Sequence, residues 1–179
     1  METVFLRKIE ERDKDLLFSW ISNPSLRKMT GTRGTPNAKS HDVWFNNKIN
    51  DKDNVIRVIQ FGARSVGIIG TNSIDLQNRN AEIYLYVGDD QNRKRGIGAS
   101  AVKQFVSCLF DNYGIHKVFC RIFSYNIASI RLFQKLGFKE EGRLKDHVYC
   151  LGEGKYYDLL FFGCFKSDYD EKTINDSRC

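Results

Sequence analysis

The sequence predicts an α/β (α+β) fold in one continuous domain, residues 1–166, followed by a polar tail over 167–179. Three observations carry that prediction. Alternating apolar and polar runs, such as Ala81–Val87, are interleaved with runs of helical spacing, such as Ala99–Tyr113. Ala81–Val87 leads through a basic, glycine-containing turn straight into that helical run, the strand–turn–helix order of α/β proteins. The chain has 179 residues, 41% of them hydrophobic, which suits one domain with its own core.

The elements follow in order. Phe5–Ile9 alternates and reads as the first strand. Asp13 or Asp15 is placed to cap a helix carrying Leu16, Leu17, Trp20 and Ile21, which ends near Asn23-Pro24. Ser25–Thr30 adds a short helical piece, and residues 31–37, rich in Gly, Thr and Asn, form a loop. Ser40–Ile49 reads as a helix with His41, Trp44, Phe45 and Lys48 near one face. Val55–Phe61 and Ser65–Asn72 form a hairpin through Gly62-Ala63-Arg64. Strand 81–87 then follows the turn at 77–80. Lys117–Phe123 is rich in β-branched and aromatic residues and reads as a covered strand. Asn126 caps a helix whose Ile130, Phe133 and Leu136 share a face, and Gly137 suits its left-handed end.

The turn after Val87 carries the first chemistry. Arg93, Lys94 and Arg95 precede Gly96 and Gly98 at the start of a helix, where unpaired backbone N–H groups and the positive end of the helix dipole bind phosphate. Spacing excludes two familiar phosphate loops. No Gly precedes Gly96 at the P-loop distance with a following Lys-Ser or Lys-Thr, and the dinucleotide fingerprint lacks both its third glycine, position 101 being Ala, and the acid that should end the next strand.

Val87, Arg93, Gly96 and Gly98 fill the pattern V-x-x-x-x-x-[QR]-x-x-G-x-[GA], and Asn126, Ser129, Phe133, Lys135, Gly137 and Phe138 fill a second at the expected distance. These residues resemble the GNAT acetyltransferase superfamily, and the resemblance runs over about Phe5 to Phe165, with residues 141–149 and 154–160 looking like the closing hairpin of a subgroup of it. Within it, the chain is similar to ribosomal-protein alanine N-acetyltransferases and nucleotide-amino-sugar N-acetyltransferases. The resemblance implies a central mixed, mostly antiparallel, twisted sheet with helices on both faces, in which strands 81–87 and 117–123 form a splayed parallel pair. It implies acetyl-CoA as cosubstrate and no metal. Backbone of Leu85, Tyr86 and Val87 would pair with the pantetheine arm, and Arg93, Lys94, Arg95, Gly96, Ile97, Gly98 and Ala99 would wrap the pyrophosphate. Asn126, Ser129 and Phe133 are the second motif's expected cofactor contacts.

Acetyl transfer to an amine needs a proton acceptor, because most amines are protonated at neutral pH. Glu82 is the candidate, as base or water-positioning residue: it is the carboxylate within strand 81–87, matches the Ala-Glu-Ile start of that strand in related enzymes, and shares a strand face with Tyr84 and Tyr86. Phe133 stands where the family commonly has a proton-donating Tyr, which leaves Tyr125, Tyr149, Tyr156, Tyr157 or water for that role. Arg27, His41, Trp44, Tyr84 and Tyr156 are the acceptor-binding candidates. The expected acceptor is the amine of a nucleotide-linked amino sugar. The N-terminus of a ribosomal protein and a small amine or polyamine stay open, as does a non-catalytic module binding CoA or nucleic acid.

Composition narrows the rest. The net charge of +6 suits anionic ligands, and without a basic helix interleaved with aromatics nucleic acid is not the expected partner. No run approaches a membrane span, and the N-terminus lacks a signal peptide's apolar core. Five scattered cysteines without C-x-x-C spacing read as reduced, and His41, His116 and His147 give no metal-ligand spacing. The expectation is a cytoplasmic enzyme, monomeric or homodimeric.

Overall fold

The structure, a computed structural model, describes residues 3–31, 34–88, 91, 95–150 and 152–169. Seven strands share one mixed sheet in the order β1-β2-β3-β4-β5-β7-β6. They are β1 (Val4–Lys8), β2 (Ile56–Phe61), β3 (Arg64–Asp75), β4 (Asn80–Val87), β5 (Lys117–Phe123), β6 (Lys139–Cys150) and β7 (Lys155–Phe165). The helices are α1 (Lys14–Ser22), α2 (Pro24–Thr30), α3 (Ala38–Ile49), α4 (Ile97–Asn112) and α5 (Ile127–Lys135). The chain forms two compact units: one takes the chain up to Ser73 together with Tyr84–Phe105, the other Ile74–Ile83 together with the chain from Val106 on.

In the first unit β1 pairs antiparallel with β2, and β2 with β3. Leu17 and Trp20 of α1, three residues apart, turn inward with Leu26 and Phe45 onto Ile56, Val58 and Ile68, and Trp44, Tyr84 and Tyr86 pack against them. Local chemistry sets the helix ends. The Asn23 side chain accepts from the Ser25 N–H, Pro24 occupies the first turn and Gly31 closes α2 in the left-handed conformation at φ 71°. The Asn37 side chain accepts from the N–H groups of Lys39 and Ser40, so α3 starts at Ala38, two residues ahead of the start read from the sequence.

Asp13 does something other than cap α1. Its buried carboxylate takes both arms of the Arg7 guanidinium, at 2.7 and 2.5 Å, and the Glu10 N–H at 2.9 Å. Burial works against the charge, but hydrogen bonds from Arg7 and the Glu10 N–H outweigh it and hold the carboxyl below the usual carboxylate range. Removing the cation leaves a buried charge, so Arg7→Ala should cost about 3 kcal/mol in denaturant unfolding. A depressed carboxyl stabilises above its unfolded value and loses that contribution as pH falls through its folded value. The gap between wild type and Arg7→Ala should therefore close as pH drops below about 4, and a pH-independent gap would refute this account.

In the second unit Asn80–Glu82 of β4 run parallel to Lys117–Phe119 of β5, and β5 pairs antiparallel with β7 over its whole length. Parallel strands need a crossover, which α4 supplies. The long β6–β7 hairpin carries a bulge around Asp146, at φ 50°, whose N–H donates to Asp158 Oδ1. A helical turn over 166–169 continues the fold beyond the expected domain end, with the Tyr169 ring edge-on to Phe110 at 5.5 Å. Among the described residues Cys108, Cys120, Cys150 and Cys164 form no disulfide.

Candidate acetyl-transfer site

The phosphate turn keeps the properties an anion requires. Gly96 lies at φ 77°, a conformation that L side chains avoid, and a Cβ built there meets no atom of the described residues within 4 Å. The Ser100 N–H donates to Gly96 O at 3.0 Å, which starts α4 there, and the first turn of this helix holds no acidic residue to compete with an anion. The Arg95 guanidinium lies over the Phe61 ring, 4.5 Å from its centroid. Ile97 is buried, which leaves its backbone as the part available to a ligand, whereas Gly98 and Ala99 are half-buried. Arg93 and Lys94 lie outside the described residues.

Packing accounts for the backbone just before this turn. A Cβ on Gly88 would lie 2.3 Å from ring atoms of Trp20, and one on Gly67 would lie 2.2 Å from Tyr86 O. The Gly88 N–H is already given to Val66 O at 2.8 Å. Leu85, Tyr86 and Val87 thus form a strand end locked by its neighbours, the rigid kind of support a cofactor-binding backbone needs.

Several expected acceptor residues are structural instead. His41 is 4% exposed; its Nε2 lies 3.0 Å from Lys14 O and so donates, and its ring stacks on Trp44 at 5.4 Å. His41 is therefore a core histidine, and Trp44 is its half-buried partner. Tyr84 and Tyr86 also turn into the first core, where burial pushes both phenols above their ordinary pKa, and among the described residues the buried Tyr86 hydroxyl has no hydrogen-bond partner. Arg27 reaches from α2 to Gly34 O at 2.6 Å and ties down the loop after the helix. Tyr156 remains an exposed ring, paired with Tyr149 on the β6–β7 hairpin.

The second motif divides in the same way. The Asn126 side chain accepts from the Ser129 N–H at 3.2 Å, so these two residues build the start of α5. Phe133 is 2% exposed and packs edge-on against Phe138 at 4.9 Å, with Gly137 at φ 93° turning the chain back. Phe133 thus belongs to the core and not to a cofactor surface.

Glu82 sits at the last described parallel pair, opposite Phe119. Its side chain is 10% exposed and forms a fork with Arg121, Nε to Oε1 at 2.7 Å and Nη2 to Oε2 at 3.1 Å. Burial first, and then the charge of Glu82, raise the neighbouring Cys120 thiol well above its ordinary value, so this cysteine stays a protonated core group. Sequence reasoning missed Arg121. The available signal was an arginine at an outward position of a strand otherwise lined inward by Val118, Cys120 and Ile122.

Among the described residues no group of three or more His, Cys, Asp or Glu could hold a metal ion, and no helix is long and apolar enough to cross a membrane. Comparison with known proteins gives the family. The model of the "Acetyltransferase (GNAT) domain" matches residues 3–139. The chain is 26% identical over 169 residues to the SPbeta prophage-derived uncharacterized N-acetyltransferase YokL of Bacillus subtilis, covering 94% of this chain and 93% of that one. It is 22% identical to the putative ribosomal N-acetyltransferase YdaF of Bacillus subtilis, covering 94% of both. Its fold resembles that of spermidine N-acetyltransferase from Vibrio cholerae solved with CoA and spermine, at a TM-score of 0.85 and 18% identity over 93% of this chain and 97% of that one. With the glycine turn at the head of α4 and the three parallel pairs between β4 and β5, these matches establish that the chain belongs to the GNAT acetyltransferase family and is an N-acetyltransferase that takes its acetyl group from acetyl-CoA.

Proposed function

We propose that this enzyme acetylates the primary amine of a nucleotide-linked amino sugar, acting as a monomer or homodimer in the cytoplasm. Charge carries the reading. The net charge is +6, and between Asp15 and Asp42 there is no acidic residue, while Arg27, Lys28, Arg33 and Lys39 are basic. Such a basic segment favours a diphosphate-bearing acceptor over a polycation. A polyamine is the second reading, favoured by the fold shared with the Vibrio cholerae spermidine enzyme. The N-terminus of a ribosomal protein is the third, favoured by the likeness to YdaF.

In the proposed reaction the amine nitrogen attacks the thioester carbonyl carbon, the C–S bond breaks and CoA leaves as thiolate. The nitrogen's proton passes through water to Glu82, whose carboxylate oxygens, one on each arm of Arg121, can each accept more than one hydrogen bond. The backbone of Leu85–Val87 and the turn at Gly96–Ala99 hold the cofactor, and Gly96, where a built Cβ meets no atom of the described residues, fits its phosphates. Asn126 and Ser129 shape the start of α5.

Tyr125 is the tyrosine whose state bears on the leaving group. Burial, with added effects from Cys150, Glu153 and Tyr157, pushes its phenol up to about 12. A thiol ionises near 8.5, so the thiolate is too weak a base to draw a proton from such a phenol. Tyr125→Phe should leave kcat within about twofold of wild type, against the roughly hundredfold loss expected on removing a true general acid. Thiol release from acetyl-CoA tests the main reading against UDP- and dTDP-amino sugars, polyamines and N-terminal peptides. The highest kcat/KM on a nucleotide amino sugar supports it; preference for spermidine or a peptide transfers the enzyme to that class.

A further inference from the structure

The ion pair at the end of the parallel ladder has an asymmetry that bears on the acceptor. Glu82 is the inner partner, at 10% side-chain exposure, and Arg121 the outer one, at 46%. The group that meets an incoming molecule first is therefore the guanidinium. Arg121 stands two residues past Phe119, the last described parallel partner on β5, opposite Phe161 of β7. Its Nε and Nη2 are committed to Glu82, and among the described residues its Nη1 has no partner. A guanidinium with one edge fixed and the other open is a preorganised fork for an anion.

We propose that Arg121 is a specificity residue of this enzyme, held by Glu82 so that its open Nη1 edge receives an anionic group, a carboxylate or a phosphate, carried on the acceptor near the amine that is acetylated. The inference rests on Glu82 being the carboxylate at the reacting amine and deepens that reading. If Glu82 handles the amine, the guanidinium lies within hydrogen-bond reach of the same carboxylate, and the neighbourhood of the amine has a fixed positive charge. A second ammonium on the acceptor would meet like charge there, partly screened by solvent because Arg121 is 46% exposed. An anionic substituent gains a charge-assisted hydrogen bond at that position.

The test compares matched acceptors that differ in one charge. A UDP-linked amino sugar is set against the free amino sugar, and an amino acid against its amide; the first pair reports phosphate, the second carboxylate. Arg121→Gln should raise KM for the charged member of a pair about tenfold or more relative to the neutral member, beyond any change in kcat that both members share through Glu82. Arg121→Lys keeps a cation beside Glu82 but loses the fork, and should fall between the two. It also keeps the test open if Arg121→Gln, which leaves Glu82 without its cation, fails to fold. Calorimetric titration of CoA-loaded protein with the same pairs gives the corresponding ratio of Kd values independently of turnover. Equal losses on charged and neutral acceptors in both variants would reduce Arg121 to a structural role, and a wild-type preference for spermidine over every anionic amine would overturn the proposal outright. Failure of the Glu82 reading looks different: Glu82→Gln would then keep full kcat on all acceptors, whatever Arg121 does.

Discussion

Glu82→Gln should lower kcat for protonated amine acceptors by about a hundredfold or more, with a much smaller change in KM for acetyl-CoA. The size follows from what a positioned base contributes, roughly a hundred- to ten-thousandfold. Geometry makes the substitution a clean one. The amide of the variant would keep an oxygen for Arg121 Nε, now at 2.7 Å from Glu82 Oε1, but would place an NH2 group against Nη2, now at 3.1 Å from Oε2. One hydrogen bond survives and one is lost at a pair whose arginine is half-exposed, so the fold should tolerate the change.

A pure loss of positioning would also lower kcat, and the acceptor's own basicity separates the two causes. Hydroxylamine is unprotonated at neutral pH and needs no base to become a nucleophile. If Glu82 removes a proton, the variant should acetylate hydroxylamine nearly as well as wild type does, while its activity on ordinary amines rises with pH as free amine accumulates. Loss of the same factor on both kinds of acceptor would show that Glu82 orients the acceptor or Arg121 without moving a proton.

Features that rest on local backbone chemistry were legible in the chain; those that rest on distant partners were not. Gly137 marks a left-handed helix end, and Asn126 a helix start, because each of those demands is met within a few residues. Asn37, inside a run of Thr, Pro and Asn, reads equally well as loop, so its capping bonds to Lys39 and Ser40 were not foreseen. His41 and Trp44 share a helix face under either a core or a ligand reading, and only Lys14 O, contributed by α1, decides for the core. Phe133 occupies a motif position, yet its environment is set by the return of the chain at Gly137 to Phe138. The Glu82–Arg121 pair joins residues 39 apart in sequence, and only the parallel register of β4 and β5 brings them together.

Gly67→Ala tests the strand end that is proposed to hold the cofactor, and its expected effect is the second largest. The added methyl would sit 2.2 Å from Tyr86 O, 3.0 Å from Val87 Cα and 3.1 Å from Tyr86 C. All three atoms are backbone, so no side chain can swing aside; β3 or the end of β4 must move. Overpacking of this kind costs roughly 1–3 kcal/mol. The displaced segment is the one assigned to acetyl-CoA, and the Gly88 N–H to Val66 O bond beside it resists relaxation on the β3 side. KM for acetyl-CoA should rise about tenfold, since small misplacements of binding groups are costly in rate. Gly142→Ala is the control: a Cβ there meets nothing within 4 Å, so both Tm and KM should match wild type. A lowered Tm with an unchanged KM for acetyl-CoA would mean that Leu85–Val87 is not the strand on which the cofactor lies.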